Sequence, residues 1–258
     1  MNKAFIVFLI ILFHSKSSFA QKEWRNWNSA EVSYEVNKKL DLKLTQLFSF
    51  NITDSFTNNF NQSSLQADYD LNKHVSLRAA AMFTNFPSSG TNTMRGILRF
   101  SYKFNPLKFL TWTNSIQTEY HSNQETRYRE RIIYVSRLSL KKRLKFLRLS
   151  PSVTYWLFYN IGGDPIRHYD ATGAKTYSTP DGFHRSRLFI NLNSKINSKF
   201  QVSLYYMNQQ EFNFLTPENR KMNVISPVTG KVYRAFDKYN VLGVTGILEL
   251  KKPKKKSK

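Results

Sequence analysis

Apolar and polar residues alternate through "LDLKLTQLFSF" (40–50). Leu40, Leu42, Leu44, Phe48 and Phe50 fall on one side, and Asp41, Lys43, Thr45 and Ser49 on the other. A period of two residues marks a β-strand with two chemically distinct faces. The same period recurs in eleven segments: 28–36, 40–52, 62–71, 75–83, 94–104, 107–120, 128–140, 147–159, 183–192, 200–212 and 239–250. Most run ten to fourteen residues, about twice the mean soluble strand of roughly 5–6. They match the about 9–11 tilted residues that cross a bilayer. Beyond residue 20 no apolar run recurs at helical spacing, so the pattern predicts an all-β chain.

The connections sort by length. "NKK", "NKH", "NP", "KKRLK" and "NSKINSK" read as tight turns. "TDSFTNN", "NFPSSGTN", "HSNQETR" and two much longer polar stretches lie between them. Short turns at one end and long loops at the other predict a membrane barrel with periplasmic turns and extracellular loops. Three turns share a unit: "VNKKLDLKL" (36–44), "LNKHVSLRA" (71–79) and "INSKFQVSL" (196–204). The Asn in each is expected to take the left-handed conformation that a tight hairpin uses.

Parity assigns an outward, lipid-facing set that includes Val32, Leu42, Leu44, Leu65, Leu98, Ile116, Ile132, Ile190, Leu204, Leu242 and Val244. Trp27, Phe104, Tyr120, Tyr159 and Tyr239 lie near strand ends, where interfacial aromatic girdles are expected. Every strand has one apolar face, and none is read as apolar on both. With the strand lengths, this separates a closed barrel in lipid from a soluble sandwich. The expectation is a single antiparallel up-and-down transmembrane β-barrel of about ten to twelve strands. Bacterial barrels usually have even counts, and "KEWRNW" (22–27) is available to begin an extra crossing. Twelve is therefore the expected number.

The N-terminus speaks to compartment. Lys3 precedes an apolar run over 4–13, and Ser18-Phe19-Ala20 forms a small-x-small site. This predicts a cleaved signal peptide over 1–20, too short to span a bilayer. The barrel then occupies 21–250, and a basic tail occupies 251–258. There is no cysteine, which removes disulfides, thiolate metal sites and a lipidated cysteine. The net charge is +22, which in a cytosolic protein would suggest nucleic acid. On an exported chain the expected anionic partners are instead outer-membrane lipid and lipopolysaccharide, and nucleic acid is not expected.

The inward face carries the candidate chemistry. Arg95, Arg99, Arg129, Arg131, Arg185 and Arg187 form the expected lumen cluster. Glu31, Glu35, Glu119 and Glu211 are the expected acidic partners. Paired, these groups plug the interior; unpaired, they line a narrow path that prefers anions. A hydrolase at the outer rim would need a histidine beside a serine or paired acids. His121, His168 and His184, with Asp164, Asp170 and Asp181, are the residues available there. No Gly-rich phosphate cradle or HExxH motif occurs, so no enzyme activity, metal or cofactor is expected.

Two stretches, "WNSAEVSYEVNKKLDLKLTQLFSFN" (27–51) and "SLQADYDLNKHVSLRAAAMF" (64–83), carry a family resemblance. "INSKFQVSLYYMNQQEFN" (196–213) repeats it. Here the chain resembles the domain-of-unknown-function 2490 (DUF2490) family of exported Gram-negative proteins. The resemblance implies an outer-membrane barrel and attaches no activity to it. The chain departs from the common barrel ending by closing with "ILEL" and lysines instead of a terminal aromatic. The expected role is structural or binding, with an ion-paired and largely closed lumen. The alternative is a narrow anion-preferring channel, and a rim hydrolase comes last.

Overall fold

Alternation carries each segment through one crossing of a closed barrel. The computed structural model describes residues 23–251 apart from 54, 170–173, 223, 226, 228, 231 and 234–237. The expected signal peptide and residues 252–258 of the basic tail lie outside the described residues. In chain order the strands are β1 (Glu23–Glu35), β2 (Leu40–Asn51), β3 (Thr57–Asp70), β4 (Val75–Phe86) and β5 (Thr91–Leu107). They continue with β6 (Leu110–His121), β7 (Glu130–Leu140), β8 (Leu149–Ile161), β9 (Ile166–Tyr169) and β10 (Lys175–Ser178). The last are β11 (Gly182–Lys195), β12 (Phe200–Phe214), β13 (Val224–Ile225), β14 (Val232–Tyr233) and β15 (Tyr239–Lys251).

Among the described residues, eleven strands form the barrel, in the order β1-β2-β3-β4-β5-β6-β7-β8-β11-β12-β15 and back to β1. Pairs β9/β10 and β13/β14 are small ladders in the two longest loops. Eleven lies within the expected ten to twelve and is one fewer than the favoured twelve. The stretch from Glu23 to Trp27 does not form a separate crossing; it is the start of β1. Eleven strands in chain order reverse direction ten times, so the first and last point the same way and the closing pair must be parallel. β1 and β15 pair in parallel, from Glu23↔Tyr239 to Glu35↔Lys251.

The loops sort by length as expected, with two corrections, the first being that "NP" (105–106) lies within β5 and the turn that follows falls at 108–109. Residues 36–39, 71–74, 108–109, 141–148 and 196–199 connect strands at one end, and the two longest loops, 162–181 and 215–238, lie at the other. "NFPSSGTN" is not a long loop. β4 and β5 run on to Phe86 and Thr91, leaving a tight turn over 87–90 in which Gly90 takes φ 65.

The three repeated turns also work differently from expectation. Their asparagines are not in the left-handed region; the side chain does the work instead. Asn37 Oδ1 accepts the amides of Lys39 (2.8 Å) and Leu40 (3.1 Å). Asn72 Oδ1 accepts those of His74 (2.8 Å) and Val75 (2.9 Å). Asn197 Oδ1 accepts those of Lys199 and Phe200, both at 2.8 Å. Each is an Asx-turn that satisfies two amides a hairpin would otherwise leave open.

The parity assignment holds across the sheet. Leu44, Leu65, Leu98 and Leu204 are 58%, 59%, 64% and 52% exposed, forming part of an outward apolar band that a soluble monomer does not present. Tyr120 also points outward, but Trp27 and Tyr239 do not belong to a girdle. Both are buried in the lumen, packed with Met207 and Val241, because they share parity with the inward residues. Gly243 makes this packing possible. A Cβ there would sit 2.0 Å from Tyr205 Cζ, so the Tyr205 ring lies directly on the glycine backbone across β12 and β15.

Candidate functional site

The alternation that sends leucines outward sends charge inward, and strand register decides which charges meet. Glu119 on β6 lies directly across from Arg131 on β7. Its carboxylate is buried and accepts Arg131 Nε at 3.0 Å and also Arg131 Nη2. Gln117 Nε2 donates to it at 2.6 Å, His121 Nε2 lies at 3.2 Å, and Arg95 Nη1 at 3.6 Å. The Arg131 guanidinium stacks 4.3 Å from the Tyr128 ring centre and 5.1 Å from that of Phe158. Charge, hydrogen bonds and aromatic faces therefore compensate this buried group together.

A second pair sits on β11 and β12. Arg185 Nε donates to Glu211 Oε1 at 2.5 Å, and Gln209 Nε2 reaches the same oxygen at 2.9 Å. Arg187, one step along, donates to Gln209 Oε1 at 2.8 Å. It lies 5.9 Å from the Trp27 ring and 5.3 Å from Phe158. Among the described residues, no carboxylate pairs with Arg187.

Toward the short-turn end, Arg78 and Arg99 are direct cross-strand neighbours. Asp68 holds Arg78 at 2.6 Å and Lys43 at 3.0 Å. Arg99 donates to Gln117 Oε1 at 2.7 Å and stacks 5.2 Å from Trp156. Two cavities occupy the lumen end to end, about 480 Å³ at the short-turn end and about 470 Å³ toward the long loops. Arg78, Arg99, Trp156 and Phe189 line both, so the Arg99–Trp156 layer divides them.

Of the expected basic cluster, Arg95, Arg99, Arg131, Arg185 and Arg187 lie on barrel strands facing the lumen, and Arg129 does not join them. Arg129 precedes β7 at the long-loop rim. It donates to the carbonyls of Ser122 (3.4 Å) and Glu125 (3.0 Å) and lies 3.6 Å from Asp164. Of the expected acids, Glu119 and Glu211 pair with arginines. Glu31 and Glu35 pair with none among the described residues. Their neighbours in register are Thr45 and Ile247 for Glu31, and Asp41 and Lys251 for Glu35.

The rim histidines do not converge. His121 is drawn to Glu119. His184 Nδ1 faces Asn213 Oδ1 and its Nε2 faces the Pro180 carbonyl, both at 3.0 Å. His168 is buried in the loop ladder, where burial lowers its pKa. Asp170 lies outside the described residues. No group of three metal-ligating side chains occurs among the described residues. Within the same loops, burial opposes the ionisation of Glu125. The Arg127 fork at 2.8 and 2.7 Å outweighs it and holds the carboxyl down at about 2.

Sequence reasoning missed the apolar filling of the lumen. Ile133, Val135 and Phe158 are buried there against Trp156, and Met207 and Val241 form the second cluster. The signal was present in "RIIYVS" (131–136) and "LYYM" (204–207), stretches apolar on both faces. Such strands carry apolar side chains on both faces, exposed ones on the outer wall of the barrel and buried ones in the lumen.

No curated protein sequence matches the chain. A solved structure titled "NanC porin structure in rhombohedral crystal form" matches at 14% identity with a TM-score of 0.42. The match covers 60% of this chain and 65% of that one, so the chain spans less than two thirds of that protein. The family described as "Protein of unknown function (DUF2490)" matches residues 24–220. That match takes in every barrel strand but the last and spans well over half the sequence, and the chain belongs to the DUF2490 family.

Proposed function

We propose that the protein is an outer-membrane β-barrel with a structural or binding role, whose lumen is held largely closed. The observation that carries this reading is the buried Glu119 carboxylate, surrounded by Arg131, Arg95, Gln117 and His121 in the part of the lumen toward the long loops. A charge taken out of water at such cost is kept only where its partners are held rigidly. The ion pairs, the packed aromatics and the Arg99–Trp156 layer between the two cavities support a lumen without a continuous water path. The outward apolar band and the apolar run at 4–13 support placement in the outer membrane. Lipid and lipopolysaccharide are then its surroundings, and no catalytic step or cofactor belongs to this reading.

The narrow anion channel has its own support. Arg99 and Arg187 face the lumen without a carboxylate partner among the described residues, and fixed positive charge attracts anions. Planar-bilayer recording separates the two. Electrical silence is expected, an anion-preferring current would favour the channel, and a cation-selective current would contradict both. Fractionation with outer membrane and heat-modifiable gel migration are expected; recovery as a soluble periplasmic protein would overturn the placement.

A further inference from the structure

The cavity at the short-turn end has a cationic wall. Lys73, Arg78, Arg99, Lys103 and Arg137 line it, and Asp70 is the carboxylate among its lining residues. Register creates this excess. Arg78 and Arg99 stand directly opposite each other on β4 and β5, an arrangement that destabilises a sheet unless something offsets it. Asp68 serves Arg78 but is shared with Lys43. Arg99 has only the neutral amide oxygen of Gln117, and Arg137 reaches the Ser152 hydroxyl at 3.4 Å. Neither makes an ion pair among the described residues. A guanidinium does not shed its proton to relieve the strain. The cavity toward the long loops, by contrast, includes Glu119 and Glu125 in its wall.

We propose that this cavity is a binding site for a small phosphorylated solute carrying two or more negative charges. Arginine forks match phosphate oxygens in a bidentate way, and the hydroxyls of Ser101 and Thr113 add donors to the wall. Its volume of about 480 Å³ falls in the roughly 300–1,000 Å³ range of small-molecule sites. The barrel wall separates the site from lipid headgroups, so the ligand is a free solute entering between the short turns. Lys38, Lys39 and Lys73 sit in those turns and raise the local anion concentration. The site rests on the closed-lumen reading for its floor alone, where Arg99 stacks on Trp156.

The test is calorimetric titration of the full-length protein, purified in uncharged detergent, with pyrophosphate at low salt. Saturable one-to-one binding that weakens with added salt is expected. Arg99→Gln with Arg137→Gln should weaken it by about a hundredfold, since two charge-assisted contacts are lost. Lys175→Gln with Lys221→Gln removes the same charge at the other end and should leave binding unchanged. If the first pair fails to fold, phenylglyoxal labelling of the wild type replaces it, with pyrophosphate protecting Arg99 and Arg137 but not Arg220. Absence of saturable binding, equal loss in both double variants, or absence of protection overturns the site. Bilayer recording in parallel keeps the two readings apart. An anion current that pyrophosphate blocks overturns closure and supports the site, whereas silence without binding overturns the site and leaves closure standing.

Discussion

Glu119 shows how much one buried carboxylate depends on its partners. Arg131→Gln would leave it with Arg95 at 3.6 Å as the remaining arginine. Removing one member of a buried pair costs about 3–5 kcal/mol, because the other charge is stranded. Replacing both, as Arg131→Met with Glu119→Leu, should cost far less. Denaturant unfolding in micelles measures the difference, and equal losses in the single and double variants would refute the stranded-charge account. Glu125 offers a test in pH. Its carboxyl is held at about 2 in the fold, below its unfolded value of about 4.3. The Arg127 contact therefore stabilises the loop fully above about pH 4.3 and is lost as pH falls toward 2. Carboxyl NMR titration should place this group near 2, and a value near 4.3 would sink the assignment.

At the scale of the strand, the outward parity was legible because a period of two assigns a whole face at once. Leu44→Arg or Leu204→Arg should cost about 2–4 kcal/mol if the site is near the bilayer midplane. Ser203→Ala, one residue away but inward and buried, should cost much less. Refolding yields and unfolding midpoints in lipid vesicles would decide, and equal costs would show that outward does not mean lipid-facing. Trp27 and Tyr239 were expected in a girdle from their position near strand ends alone, and that position misled. Parity put them inside, where Met207 and Val241 receive them. The asparagine turns were located correctly in sequence while their mechanism was not. A left-handed asparagine and an Asx-turn have the same residue at the same place, and only the direction of the side chain separates them.

At the scale of the whole barrel, the parallel closure of β1 on β15 is the boldest feature, since it follows from an odd strand number. Ser29 and Thr245 face each other across it, with their hydroxyl oxygens 2.6 Å apart. The chain has no cysteine of its own, so Ser29→Cys with Thr245→Cys should form a disulfide on mild oxidation. Non-reducing gels after denaturation would show the circularised species. Absence of the crosslink in folded protein would mean that another strand intervenes at the closure.

Strand number, strand length and the outward face were present in the chain because they depend on residues near one another in sequence. Eleven alternating segments could be counted directly, and the structure returned eleven; the expected twelve came from a general habit of barrels. The lumen is different in kind. Whether Glu31 or Glu119 meets an arginine depends on the register between strands, set by turn geometry and by the shear of the closed sheet. Glu119 finds Arg131 directly opposite, while Glu31 finds Thr45 and Ile247. Arg78 and Arg99 likewise became neighbours only when β4 and β5 paired. Composition supplied the inward charges, and closure of the barrel decided which of them were neutralised and which were left facing a cavity.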